Sequence, residues 1–210
     1  MRKDLLVKNT VASLLFQVTA IVCGFVLPRV FLQRFGSEVN GLVNSISQFL
    51  SVVSFLELGV GAVVQSSLYK PLADNDNRQI SCVVVSADRF FRRIALVLLV
   101  YVVVLMLVYP TISNQDFDGV FTAVLIGAMS ISSFAQYYFG IVDSILLTAD
   151  QRGYIQYNAQ TMALVLNTVA CVVLISAGCS VQMVKLVSSL IFLIRPLVLR
   201  AYVNRRYGID

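Results

Sequence analysis

The stretch "RFFRRIALVLLVYVVVLMLVYP" (Arg89–Pro110) decides what kind of molecule this is. From Ile94 to Val108 every residue except Tyr101 is Ala, Val, Leu, Ile or Met, and three arginines stand on its N-terminal flank. Crossing ~30 Å of hydrocarbon takes about 20 predominantly apolar residues in a helix. This run with its flanks meets that requirement. Working outward, five further stretches have the same character, so the predicted spans are Val11–Leu32, Gly41–Gln65, Ile94–Ser113, Gly119–Leu147, Gln160–Ala177 and Gln182–Leu199. The expectation is an all-α, polytopic membrane bundle of six transmembrane helices, forming a single domain over residues 1–210.

Composition points the same way. Hydrophobic residues make up 58% of the chain and charged residues 13%, against about 45–50% and about 25% in soluble domains. The net charge of +5 does not read as a nucleic-acid footprint, which would gather on one exposed face. The basic residues mark the ends of apolar runs instead. With the spans taken alternately, Arg2, Lys3, Lys8, Lys70, Arg78, Arg89, Arg92, Arg93, Arg152, Arg200, Arg205 and Arg206 fall on one side. Arg29, Arg34 and Lys185 fall on the other. The positive-inside rule then places both termini in the cytoplasm, which an even number of spans requires. The first span lacks a small-residue cleavage pattern and is read as retained rather than as a signal peptide.

Chemistry at fixed residues finds little support. The chain has no histidine, which removes imidazole catalysis and the commonest zinc ligand. Its four cysteines show no metal-ligand spacing and read as small packing residues. There is no Asp-Asp pair and no GxSxG. No enzyme activity, metal or cofactor is expected.

The spans differ in polarity. The third and sixth are nearly all apolar and are expected to face lipid. In the first, Asn9, Ser13, Gln17, Ala20, Gly24 and Pro28 share a face; in the second, Asn40, Asn44, Ser47, Gln48, Ser51 and Ser54 form a stripe flanked by Glu57. The fourth carries Ser132, Ser133, Gln136, Gly140 and Asp143, and the fifth Gln160, Asn167, Thr168 and Cys171. Small and hydroxyl side chains also serve close helix packing. Stripes on four helices exceed what packing asks for and predict a wet groove between spans one, two, four and five. The candidate cavity residues are Arg29, Asn44, Gln48, Glu57, Gln136 and Asp143; the carboxylates weigh most because an intramembrane charge costs ~2.5–3.5 kcal/mol even on insertion scales. Arg89, Arg92 and Arg93 form a basic group at the inner entrance, where anionic lipid headgroups gather.

The run "PRVFLQRFGSEVNGLVNSISQFLSVVSFLELGVGAVVQSSLYKPLA" (Pro28–Ala73), with its Pro near the end of the first helix, its Phe35-Gly36…Gly41 turn and its "FLELG", resembles the start of bacterial polysaccharide-biosynthesis flippases. These are relatives of the MATE-type multidrug exporters. The later "LLTADQRGYIQYN" (Leu146–Asn158) is also similar to that family. The resemblance implies a MATE-like N-terminal lobe, the first half of a longer transporter in the bacterial inner membrane, completed by a second lobe. It implies translocation of a lipid-linked oligosaccharide of the polyprenyl diphosphate type by alternating access, as in O-antigen and lipopolysaccharide assembly. Other readings are a cation-coupled small-molecule exporter, and a non-catalytic membrane scaffold or truncated remnant.

Overall fold

The computed structural model describes the backbone of residues 2–57, 59–112 and 117–207, and the side chains of residues 4–55, 59–109 and 117–207. Helix α1 (Arg2–Ser51) leads into a 3₁₀ turn (Val52–Glu57) and α2 (Val60–Asp74). Then follow α3 (Asn77–Ile112) and α4 (Gly119–Ala135), which continues through a π turn (Gln136–Gly140) into α5 (Ile141–Ala149). The chain is completed by α6 (Gly153–Ser176), α7 (Val181–Phe192) and α8 (Ile194–Tyr207). Every regular element among the described residues is helical. Five uninterrupted or nearly uninterrupted helical stretches are long and apolar enough to cross a membrane: Asp4–Phe55, Asn77–Tyr109, Gly119–Ala149, Gly153–Ser176 and Val181–Tyr207.

Local chemistry explains the breaks. Gly36, at φ 81° and ψ 175°, interrupts α1 in a conformation that only glycine adopts freely. The predicted second span, Gly41–Gln65, is therefore not one helix: α1 ends at Ser51, the chain tightens into the 3₁₀ turn, and α2 restarts beyond Gly59. In the turn after α2, left-handed Asn75 gives its N–H to the Pro71 carbonyl, and the Asp76 carboxylate accepts from the Gln79 N–H at 3.0 Å, starting α3. That helix begins at Asn77, well before the apolar run. The α7–α8 break has a different cause. Pro196 has no N–H for the Phe192 carbonyl, so Leu193 closes a tight turn onto Leu190 instead.

Packing fixes how the elements run. The arm of α1 before Gly36 lies along α6, while α4 packs against α3 and α7. Asn9 clamps the α5–α6 connection, donating to the Gln151 carbonyl at 2.8 Å and accepting from the Tyr154 N–H at 2.7 Å. At the opposite end of the same arm, Arg34 approaches Gly178 between α6 and α7. Beyond Gly36 the chain returns: Tyr101 donates to the Phe49 carbonyl at 3.0 Å, and Gly61 meets Ile145 near the end of α5. Phe91, Leu42, Ile46, Leu68, Leu98, Leu125, Ile126 and Leu146 are fully buried in the core. Outside it, Leu14, Val18 and Phe25 of α1 and Leu96, Val100 and Leu107 of α3 are exposed. Large apolar side chains exposed along two long helices fit a chain whose helices could span a membrane.

Candidate functional site, a cationic cavity

A cavity of about 490 Å³ lies between the second arm of α1, the α4–π turn segment and the α7–α8 pair. Ser47, Ser51, Ser132, Ser133, Ser188 and Ser189 supply hydroxyls, Gln136 an amide and Tyr137 a phenol. Two cations complete the lining, Lys185 and Arg195, and no carboxylate is present among the described residues around it. At 1.5 Å per residue, Lys185 sits ~6 Å and Arg195 ~21 Å along the helix axis from the start of α7. The positive charge therefore runs from one end of the bundle to its middle.

Each wall is shaped by a helix irregularity. The π turn widens the α4–α5 rod where Gln136 enters the cavity, and such bulges recur at functional sites. It packs directly on the α7–α8 break, for a Cβ on Gly140 would stand 2.8 Å from Pro196 Cβ. Several hydroxyls are tied to carbonyls of their own helix, Ser47 to Val43 at 2.8 Å and Ser51 to Gln48 at 2.7 Å. Lys185 Nζ lies 5.0 Å from the centre of the Phe31 ring, a cation–π contact. Arg195 Nε is buried and makes no hydrogen bond among the described residues. A buried charge is stable only when something of opposite sign or strong polarity compensates it. The arrangement favours an anion.

The expected site residues divide into those that meet here and those that do not. Gln136 lines the cavity. Asn44 and Gln48 are exposed on the same arm as Ser47 and Ser51 but outside the lining. Arg29 is exposed and also outside it. The backbone of Glu57 ends the 3₁₀ turn, and its side chain lies outside the described residues. Asp143 does not face the cavity: it is fully buried, and Arg200 reaches it at 3.5 Å. Its partner on α8, Arg200, is half-buried, and the second carboxylate oxygen of Asp143 has no hydrogen-bond partner among the described residues. Within the basic group, Arg89, Arg92 and Arg93 are exposed. Arg92 pairs with Asp88 at 2.6 Å and lies over the Tyr138 ring at 5.2 Å, adjoining the π turn.

The walls also differ from the expected ones. The stripes of the first and fifth predicted spans stay outside the lining: Gln17, Gly24 and Pro28 are exposed, and Asn167, Thr168 and Cys171 are buried. The sixth span, expected to face lipid, supplies a whole wall. The one signal that could have found it is the series Lys185, Ser188, Ser189, Phe192, Arg195, spaced at three and four residues. The surrounding apolar residues masked it. Comparison with family models, with curated proteins and with solved structures returned no match.

Proposed function

We propose that this chain is a transporter lobe that moves a lipid-linked oligosaccharide of the polyprenyl diphosphate type across the membrane by alternating access. The observation that carries the reading is the cavity that pairs Lys185 and Arg195 with six serines, Gln136 and Tyr137 and contains no described carboxylate. A diphosphate needs cations inside a low-dielectric slab, because an uncompensated charge there is prohibitive. Sugar hydroxyls need neutral donors and acceptors, which the serines provide. A cation-coupled exporter of apolar drugs calls for the opposite lining, carboxylates and aromatic rings.

Six crossings suit the same reading. A straight helix of 50 residues would extend ~75 Å, far beyond ~30 Å of hydrocarbon. The break at Gly36, with Arg34 beside Gly178 and Gly61 beside Ile145, supports two crossings within Asp4–Asp74. Four more come from the other long helical stretches. An even count keeps both termini on the cytoplasmic side of a bacterial inner membrane. The lobe would rock against a second one, as paired bundles do.

The test is surface glycan export in cells carrying Lys185→Gln or Arg195→Gln in place of the native gene, at matched protein level. Hydrogen bonds to a charged group contribute about 1.5–3 kcal/mol, so each change should lower export about tenfold or more. Unchanged export in both variants would refute the proposal.

A further inference from the structure

A second cavity, of about 360 Å³, lies on the other side of α7 between α1 and α6. Phe16, Ala20 and Leu27 form one wall, Leu164 and Thr168 the other, and Phe192 closes the floor. Its lining is mostly apolar: Gln160 contributes one amide, and the Thr168 hydroxyl is spent on the Leu164 carbonyl at 2.9 Å. Residues 16–28 of its wall cover roughly 18 Å along the helix axis. Gly24 and Pro28 border the cavity and are exposed, as are Ile21, Val22 and Phe25 beside them. The groove therefore opens sideways on the lipid-facing side of the bundle.

Phe192 borders both cavities. It stands between the chamber of Lys185 and Arg195 and a groove that opens toward the exposed face of α1. Two adjoining compartments of opposite character match a ligand that is itself divided. We infer that the α1–α6 groove seats the apolar tail of an amphiphile whose anionic head occupies the Lys185–Arg195 cavity, with Phe192 at the threshold. This rests on reading the cavity as an anion site and not on the glycan. It gives the tail a defined path through the protein wall, and it makes Phe192 a positioning residue between head and tail.

The chain contains no tryptophan, so one introduced indole reports without background. Phe16→Trp places it in the groove and Val100→Trp places it on the exposed face of α3. Each protein is reconstituted in liposomes with increasing fractions of dibrominated-chain phosphatidic acid or dibrominated-chain phosphatidylcholine, whose bromines quench indole on contact. The expected result is half-maximal quenching of Phe16→Trp at about tenfold less brominated phosphatidic acid than phosphatidylcholine, and equal quenching of Val100→Trp by both. The preference should disappear when Lys185→Gln or Arg195→Gln is added. Equal quenching of Phe16→Trp by the two lipids would reduce the groove to ordinary lipid contact and overturn the inference. Absence of quenching would overturn it too, because protein would then cover the groove. Head-independent quenching together with impaired export in Lys185→Gln would reject the groove and leave the transport reading standing. Head-dependent quenching with intact export would do the reverse.

Discussion

A methyl group on Gly140 would land 2.8 Å from Pro196 Cβ and 3.0 Å from Gln136 Oε1. The proline ring cannot yield easily, although Gln136 Oε1, the end of a flexible side chain, can. Gly140→Ala should therefore lower stability by about 1–3 kcal/mol, read as a fall in thermal midpoint in detergent. Gly127→Ala is the control: its methyl would meet only Met106 Cε at 2.8 Å, the far end of a flexible side chain, and should cost much less. Equal losses would show that the π turn and the α7–α8 break do not bear on each other. At this scale the sequence was legible where polar residues interrupt an apolar helix, as at Gln136. It was not legible for Asp143, because nothing local reveals that Arg200, 57 residues away, encloses the same space.

Among the elements, α1 depends most on a single backbone angle. Its two arms meet at Gly36, whose φ and ψ lie in a region essentially reserved for glycine and costing other residues ~1–3 kcal/mol. Gly36→Ala should destabilise the fold by that amount, whereas Gly41→Ala, helical and with nothing within 4 Å of the added methyl, should be neutral or slightly stabilising. Urea or thermal unfolding of the two variants compares them, and similar behaviour would refute the role of Gly36. The far end of the bundle is held differently. Asp150 accepts from Arg152 at 2.7 Å and from Tyr207, and Arg152 also reaches Tyr202 at 3.3 Å, joining the α5–α6 connection to α8. Burial works against the charge on Arg152, but the hydrogen bond and charge of Asp150 outweigh it and raise its pKa, so Arg152 stays charged. Hydropathy could locate these elements because lipid demands apolar length. Averaged hydropathy could not place the interruption in the second predicted span, since a 3₁₀ turn of Val, Ser, Phe, Leu and Glu keeps the same average polarity as the helix around it, but Gly59 and Gly61 mark it as a place to bend.

On the scale of the whole molecule, the membrane character was fully legible, because it is a property of composition and run length. The walls of the cavity were not, because α7 and α8 present mostly apolar side chains and hide Lys185 and Arg195 among them. Which face of a helix is wet depends on its neighbours, and only packing brings Ser47, Ser132 and Ser188 around one space. The central claim is that this space is a water-accessible, cationic chamber inside the lipid. The direct measurement is thiol accessibility in membranes, using Ser51→Cys, Gln136→Cys and Ser188→Cys in a background where Cys23, Cys82, Cys171 and Cys179 are replaced by serine, with Val100→Cys as the lipid-facing control. An anionic, membrane-impermeant thiol reagent should label the three cavity positions, with inorganic diphosphate slowing the reaction, while Val100→Cys stays unlabelled. Failure of all three cavity positions to react from either side of the membrane would contradict the account.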